Sequence, residues 1–259
     1  MADRLAQAFQ QKAFVGFLTG GDPSLADTRR YVRVLADAGA AMVEIGVPFS
    51  DPIAEGPVIQ AASERACQAG TTLAQLFDLV ATLRQRDGLT CALALMTYLN
   101  PVHHFGYEAF FTRAAQVGVD AVIIPDLPFE EQDELIQYSA ASAVPLISMV
   151  APTSMGRVRR IAASAKGFIY LVSSLGVTGE RGAITTDIGA IVAEIRAVTD
   201  VPVAVGFGVS TPAQAAQMAR LADGVIVGSA LVRLVADHGA NADQQLFDLT
   251  SAMVTATRG

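Results

Sequence analysis

The sequence predicts an α/β protein of the (β/α)8 TIM-barrel class, in a single domain over residues 1–259. Short apolar runs alternate with longer amphipathic stretches, which is typical of strands that alternate with helices. Most of the runs are continuously apolar, as expected for strands of a parallel sheet covered on both faces. A unit of helix end, tight turn and strand also recurs, as in A-D-A-G-A-A-M-V-E, A-A-Q-V-G-V-D-A-V and A-R-L-A-D-G-V-I-V. Eight such strands separated by helices favour a closed barrel over an open sheet.

The strands can be assigned in order along the chain. They are predicted at 13–19, 41–47, 90–96, 119–125, 144–150, 167–173, 201–207 and 223–229. The interval from Pro48 to Leu89 is long enough for a loop and an extra helix, and 99–108 and 174–186 are predicted as further long loops. All three follow strands, and barrel enzymes carry their chemistry at the C-terminal strand ends. Function is therefore expected in these top-side loops.

Composition and charge exclude several classes of protein. Hydrophobic residues make up 52% and charged residues 17% of the chain, which excludes a disordered protein. The net charge of −7 argues against a nucleic-acid partner, which requires a basic surface. No uncharged apolar run reaches the ~20 residues that cross a bilayer, and the N-terminus lacks a signal-peptide pattern. With two cysteines, which suggest a reducing compartment, we expect a cytoplasmic protein without a membrane partner.

Two glutamates near the second strand are candidate catalytic residues. Glu44 lies inside the strand between apolar neighbours, where a charge is costly unless it is paired or functional. It is either a salt-bridged barrel residue or a general acid/base whose pKa the interior raises. Glu55 follows in the loop P-F-S-D-P-I-A-E-G-P, whose prolines restrict the backbone and favour a positioned side chain over an ordinary solvated carboxylate.

A phosphate site is predicted where the last two strands end. G-F-G-V-S-T-P (206–212) and V-G-S-A-L-V (227–232) each lead from a strand into a helix, with Thr211 and Ser229 as expected helix N-caps. Barrel enzymes often bind phosphate with backbone N–H groups at this place. The plain alternative is two ordinary strand-to-helix turns.

Other features concern a lid and the kind of chemistry. S-S-L-G-V-T-G-E-R-G (173–182) is predicted to close over a ligand, and Tyr170 in strand six is either core or a residue that reaches the substrate.

The three histidines and two cysteines show no metal-ligand spacing, so no metal site is expected. Lys12 and Lys166 precede strands, at the end of the barrel where a Schiff-base lysine is not expected. Cofactor-free acid/base chemistry on a phosphorylated substrate remains.

Seven motifs in order along nearly the whole chain resemble the alpha subunit of tryptophan synthase. They are F-L-T-G-G-D-P, V-E-I-G-V-P-F-S-D-P-I-A-E-G-P-V-I-Q, L-M-T-Y-L-N-P, P-D-L-P-F-E-E, G-V-T-G-E-R-G, V-G-F-G-V-S and V-G-S-A-L-V. The resemblance implies a lyase of tryptophan biosynthesis that splits indole-3-glycerol phosphate by retro-aldol cleavage into indole and glyceraldehyde 3-phosphate. It implies no cofactor in this chain.

The resemblance also implies roles for individual residues. Glu44 matches the glutamate that protonates indole C3, and Glu55 matches the carboxylate that faces the indole N–H. Asp126 matches a carboxylate that communicates with the lid residue Thr178. The positions that match substrate or phosphate contacts are Phe17, Tyr170, Thr178, Gly179, Phe207, Gly208, Gly228 and Ser229.

The implied partner is a beta subunit that carries pyridoxal phosphate, in an alpha2-beta2 heterotetramer. Its docking surface is expected at 50–57 and 99–105, where Leu99, Val102 and Phe105 are taken as exposed apolar residues. One departure stands out, because the family commonly has aspartate where this chain has Glu55. Three alternatives stay open: a sugar-phosphate isomerase or epimerase barrel, a barrel that only activates a beta subunit, and a free-standing indole lyase.

Overall fold

A closed barrel of parallel strands forms the centre of the molecule. The structure is a computed structural model that describes residues 4–152, 154–172, 187–206 and 208–259. In these ranges the strands are β1 (Ala13–Thr19), β2 (Met42–Gly46), β3 (Ala92–Met96), β4 (Ala121–Ile123), β5 (Ser148–Val150), β6 (Ile169–Val172), β7 (Val203–Gly206) and β8 (Gly224–Val227). They form one sheet in the order β4-β3-β2-β1-β8-β7-β6-β5, and the paired strands are parallel.

The two outermost strands of this order also meet, which closes the sheet. The Val122 N–H donates to the Pro145 carbonyl at 3.0 Å, and the Ile147 N–H donates to the Val122 carbonyl at 2.8 Å. The predicted (β/α)8 barrel is therefore confirmed. The strand at 13–19 has its predicted bounds, and in the described residues the other seven strands cover shorter ranges than predicted. That the whole chain is one domain stays a prediction.

Helices surround the barrel. In the described residues they are α1 (Arg4–Ala8), α2 (Leu25–Asp37), α3 (Pro57–Gln68), α4 (Leu73–Gln85), α5 (Leu99–Phe105), α6 (Tyr107–Val117), α7 (Asp133–Ser142), α8 (Met155–Ser164), α9 (Ile188–Arg196), α10 (Pro212–Leu221), α11 (Ser229–His238) and α12 (Asp243–Arg258). Short 3-10 helices lie at Phe129–Glu131 and Gly239–Asn241. None of the helices so described is long and apolar enough to cross a membrane.

The region after β3 differs from its prediction. The segment 99–108 was expected to be a loop, but it contains α5 and the start of α6. Pro101 does not end α5, because proline is tolerated in the first turn of a helix, where its missing N–H has no partner. Instead α5 stops at Gly106, whose φ of +90° is open to glycine. The extra helix expected between Pro48 and Leu89 is present as α3 beside α4.

Alternation along the strands separates two apolar cores. Phe14, Leu18, Val43 and Ile45 belong to the outer core between strands and helices, together with the apolar faces of the helices. Residues of opposite parity, such as Val15, Phe17 and Met42, belong to a second cluster that fills the barrel interior. Because side chains alternate along a strand, this parity decides which polar residues of the strands face the inside.

Candidate active site

Glu44 is an ionisable residue in the barrel interior. It is the third residue of β2, two residues after the inward Met42, and pairs in register with Phe17 of β1 and Ala94 of β3. Its side chain is fully buried, and neither carboxylate oxygen has a hydrogen-bond partner among the described residues. Burial raises its pKa from 4.5 to about 8. The described residues offer no salt-bridge partner for Glu44, and with this pKa its carboxyl group is protonated at neutral pH.

Glu55 is held at the barrel mouth by the loop between β2 and α3. Its N–H donates to the Pro52 carbonyl at 3.2 Å, and its own carbonyl accepts from Nε2 of Gln60 at 2.8 Å. Gly56 then caps α3, which begins at Pro57. The side chain is 5% exposed, its Oε2 has no partner among the described residues, and burial raises its pKa to about 7. It is not the solvated carboxylate of an ordinary loop.

Tyr98 anchors this loop and was missed by the sequence reasoning. Its hydroxyl accepts the Ala54 N–H at 3.0 Å, and its ring stacks on Phe49 at 5.1 Å between centroids. Burial, with the charge of Glu55 as a second cause, raises the pKa of the Tyr98 hydroxyl. Its position in T-Y-L-N-P, directly after a strand, was the signal that could have identified it.

Asp126 lies beside the same tyrosine. Its Oδ1 accepts the Leu99 N–H at 2.9 Å, so it satisfies a free donor of the first turn of α5. Burial raises its pKa, and its charge also acts on Tyr98. Glu55, Tyr98 and Asp126 thus form one cluster after β2, β3 and β4.

Tyr170 and Phe17 share the barrel interior with Glu44. Both belong to the inner cluster, and Tyr170 is 5% exposed. Burial, and next the charge of Glu44, raise the pKa of the Tyr170 hydroxyl, which places the two side chains near each other. Glycines make room for these rings: a Cβ on Gly206 would lie 2.6 Å from the Tyr170 hydroxyl, and one on Gly46 would lie 2.5 Å from the Phe17 ring.

The ends of β7 and β8 differ in how their helix N-termini are satisfied. Thr211 caps α10 as predicted, in a capping box with Gln214 that occupies the N–H groups of Ser210 and Thr211. The N-cap predicted at Ser229 is wrong, because Gly228 is the cap and Ser229 is the first residue of α11. No side chain of the described residues caps this helix, so within them the N–H of Ser229 is open to an anion.

Gly208 and Gly228 follow the neighbouring strands β7 and β8. Gly208 has a φ of +85°, a conformation that glycine adopts without strain. A Cβ on Gly228 would lie 3.4 Å from Phe17, so the possible anion site adjoins the ring that pairs with Glu44. Thr178, Gly179, Phe207 and the predicted lid lie outside the described residues.

The other end of the barrel carries no comparable cluster in the described part of the chain. Lys12 precedes β1, where its Nζ donates to the Ala222 carbonyl at 2.6 Å, and the exposed Lys166 precedes β6. A polar cleft of about 560 Å³ lies at this end, lined by Arg4, Arg33 and Arg258 among others. It is remote from the C-terminal strand ends, where barrels carry out chemistry. No group of His, Cys, Asp or Glu in the described ranges could hold a metal ion.

The sequence matches one family along almost its whole length. A family model described as tryptophan synthase alpha chain matches residues 4–257. The tryptophan synthase alpha chain of Citrifermentans bemidjiense is 46% identical over 257 residues, which cover 98% of this chain and 96% of that protein. That of Lactiplantibacillus plantarum is 50% identical over 228 residues, which cover 88% of this chain and 86% of the relative.

Solved structures show the same similarity. Tryptophan synthase subunit alpha from Legionella pneumophila superposes with a TM-score of 0.88 at 32% identity, covering 99% of both chains. A chain of Mycobacterium tuberculosis tryptophan synthase gives a TM-score of 0.89 at 32% identity, covering 100% of this chain and 98% of the other.

Proposed function

Because this chain belongs to the tryptophan synthase alpha chain family, a family of carbon–carbon lyases that cleave indole-3-glycerol phosphate, we propose that it performs this cleavage with Glu44 and Glu55. The products are indole and glyceraldehyde 3-phosphate, and the role is that of the alpha subunit in tryptophan biosynthesis. The observation that supports the mechanism is the burial of Glu44 without a hydrogen-bond partner in the part of the chain that the structure describes. Family membership excludes the isomerase alternative.

Glu44 acts first as an acid. With a pKa of about 8 it holds a proton at neutral pH, and it donates that proton to C3 of the indole ring. The ring becomes an electron-deficient iminium. The adjacent glycerol hydroxyl then returns a proton to the Glu44 carboxylate, its oxygen forms the aldehyde carbonyl, and the carbon–carbon bond breaks toward the ring. Indole leaves, and the carboxyl group regains its starting protonation state.

Glu55 stabilises the charge that this protonation creates. Its carboxylate faces the indole N–H, which becomes strongly acidic while C3 is protonated, and accepts a hydrogen bond from it. A pKa of about 7 supports this role, since a large part of Glu55 is ionised at neutral pH. The hydrogen bond between the Ala54 N–H and Tyr98 holds the adjacent backbone in place.

The remaining site residues bind the substrate. The open N-terminus of α11 at Gly228 and Ser229 supports a phosphate site there, and Gly208, Gly179 and Thr178 complete it by similarity to the family. Phe17 and Phe207 pack against the substrate, while Tyr170 lies beside Glu44. Asp126 accepts the Leu99 N–H of α5, next to the Tyr98 that holds the Glu55 loop, and by similarity to the family it communicates with Thr178.

The family implies a beta-subunit partner, and we place its contact at the loop 50–57. Ile53 supports this, because it is an apolar side chain that is 73% exposed at the tip of the loop that carries Glu55. The other expected contact needs correction: Val102 is fully buried, and Leu99 and Phe105 are partly buried against the core. Pyridoxal phosphate belongs to the partner, in an alpha2-beta2 complex in the cytoplasm, and this chain works without a cofactor.

Indole release from indole-3-glycerol phosphate tests the proposal. The purified chain should release indole, and a beta subunit should raise the rate, because docking at the loop 50–57 positions Glu55. The exposed Glu64 of α3 offers a control, since Glu64→Gln should leave the rate unchanged. If the chain released no indole with or without a beta subunit, it would be a barrel that only activates its partner. If a tightly bound beta subunit left the rate unchanged, the interface proposal would be wrong.

A further inference from the structure

Buried polar side chains without a hydrogen-bond partner occur at two places in the described residues. Thr19, Glu44 and Glu55 lie at β1, β2 and the loop that follows β2, while Gln245 and Thr250 lie on α12. A buried hydroxyl that makes no hydrogen bond costs free energy, so such groups are rare unless a ligand satisfies them. The two glutamates have a role in the proposed cleavage. Thr19 does not.

The Thr19 side chain faces the barrel mouth above Glu44. It is the last residue of β1, it has the parity of the inward residues Val15 and Phe17, and it is 5% exposed. In the register between β1 and β2, Phe17 lies opposite Glu44 and Thr19 lies opposite Gly46. Gly46 has no side chain, and the Phe17 ring lies against it, so Thr19 borders the barrel mouth next to this ring.

The order of the strands puts Thr19 between the two ends of the substrate. In the sheet, β1 lies between β8 and β2. The proposed phosphate site follows β8 at Ser229, and the indole lies over Glu44 and Glu55 of β2 and its loop. The glycerol chain joins phosphate to indole, so it has to pass over β1.

We propose that Thr19 is a further substrate-contacting residue, whose hydroxyl hydrogen-bonds a hydroxyl group of the glycerol chain. This inference rests on the proposed function, because it takes indole-3-glycerol phosphate as the ligand. With this contact, the Thr19 hydroxyl gains in the complex the hydrogen bond that the described residues do not give it in the empty site. It therefore contributes to recognition of the polyhydroxylated linker and not of the indole or phosphate.

Two substitutions at one position test this contact. Thr19→Val keeps the β-branched shape and removes the hydroxyl, whereas Thr19→Ser keeps the hydroxyl. We expect kcat/KM for indole release to fall about 10-fold in Thr19→Val and to stay within about threefold of the wild type in Thr19→Ser. Thr19→Val should also unfold at the same or a higher urea concentration, because it removes a buried unsatisfied group.

Thr250→Val is the matched control. Thr250 is also fully buried, and its hydroxyl makes no hydrogen bond to the residues that the structure describes, but it lies on α12 outside the barrel. Its replacement should likewise leave stability unchanged or raised, with kinetics equal to the wild type. A Thr19→Val enzyme with unchanged kcat/KM would refute the contact. Thr19→Ala replaces it in the same comparison if the valine variant does not fold.

A substrate analogue with a propyl chain in place of the glycerol separates hydrogen bonding from packing. Thr19→Val should bind this analogue as tightly as the wild type does, since the analogue has no hydroxyl group with which Thr19 could form a hydrogen bond. Weaker binding of the analogue would assign Thr19 to packing alone and overturn the proposal. Calorimetric binding of the natural substrate keeps the test independent of turnover. If the wild type bound the substrate and released no indole, the proposed function would fail, and the affinity ratio of wild type to Thr19→Val would still decide the contact.

Discussion

Replacing Glu44 by glutamine should make the protein more stable and nearly inactive. Burial raises the pKa of this carboxyl group from 4.5 to about 8. In the unfolded chain the group ionises near pH 4.5, whereas in the folded protein it keeps its proton until about pH 8. The contribution of Glu44 to stability is therefore fully present below pH 4.5 and is lost as the pH rises through about 8.

The size of this loss follows from the same pKa values. At pH 7 the solution is ~2.5 pH units above the pKa of Glu44 in the unfolded chain, where the group ionises, but still below its pKa in the folded protein. At 1.36 kcal/mol per pH unit, this ionisation stabilises the unfolded state by roughly 3 kcal/mol. Glutamine does not ionise in either state. Glu44→Gln should thus raise the free energy of unfolding by roughly 3 kcal/mol at pH 7 and leave it unchanged at pH 4.

Activity should change in the opposite direction. Glutamine cannot donate a proton to C3, so kcat should fall about 10²-fold or more while substrate binding at α11 stays intact. The wild type should show a bell-shaped profile of kcat/KM. Activity falls above about pH 8 as Glu44 ionises, and it falls below about pH 7 as Glu55 becomes protonated.

Urea unfolding at pH 4 and pH 7 would check the predicted change in stability, and indole release between pH 5 and 10 would check the predicted change in activity. The exposed Glu64 provides the control, because Glu64→Gln should change neither measurement. Full activity of Glu44→Gln would refute the acid role. An unfolding free energy that is the same for both proteins at pH 7 would refute the raised pKa.

Three other variants examine the surroundings of the two carboxylates. Glu55→Asp should lower kcat/KM about 10²-fold, because the carboxylate then stands about 1 Å short of the indole N–H; higher activity would instead mark Glu55 as the sign of a decayed site. Tyr98→Phe removes the acceptor of the Ala54 N–H and should lower kcat/KM about 10-fold, whereas unchanged kinetics would show that the loop holds Glu55 without this bond. Gly206→Ala would bring a Cβ to 2.6 Å from the Tyr170 hydroxyl and should lower both activity and the urea midpoint, and a fully active variant would remove Tyr170 from the site.

The barrel was predictable because its signals are local. Continuously apolar runs mark strands that are covered on both faces, and this pattern identified all eight. Glu44 was also identifiable, since an ionisable residue inside such a run is conspicuous. Thr211 was correctly identified as a helix N-cap because its capping box needs only the four residues from Thr211 to Gln214.

Other features depended on contacts between distant segments. The segment 99–108 was predicted as a loop, but Asp126 supplies the acceptor for the first turn of α5 from another strand end. Val102 looked like an exposed interface residue, and helical geometry turns it into the core. These errors share one cause: the sequence of a short segment does not show which distant residues hydrogen-bond to its backbone or pack against its side chains.

The sequence by itself determined the order of the strands, the residue types at their ends and the presence of a carboxyl group inside the second strand. Only the tertiary structure decided that Glu44 has no hydrogen-bond partner among the described residues and that Tyr98 holds the Glu55 loop. Only the register between β1 and β2 placed Thr19 above Glu44. The physical reason is that apolar periodicity reports burial along one segment, whereas pKa values and hydrogen bonds depend on what the other strands of the closed barrel bring to the same point.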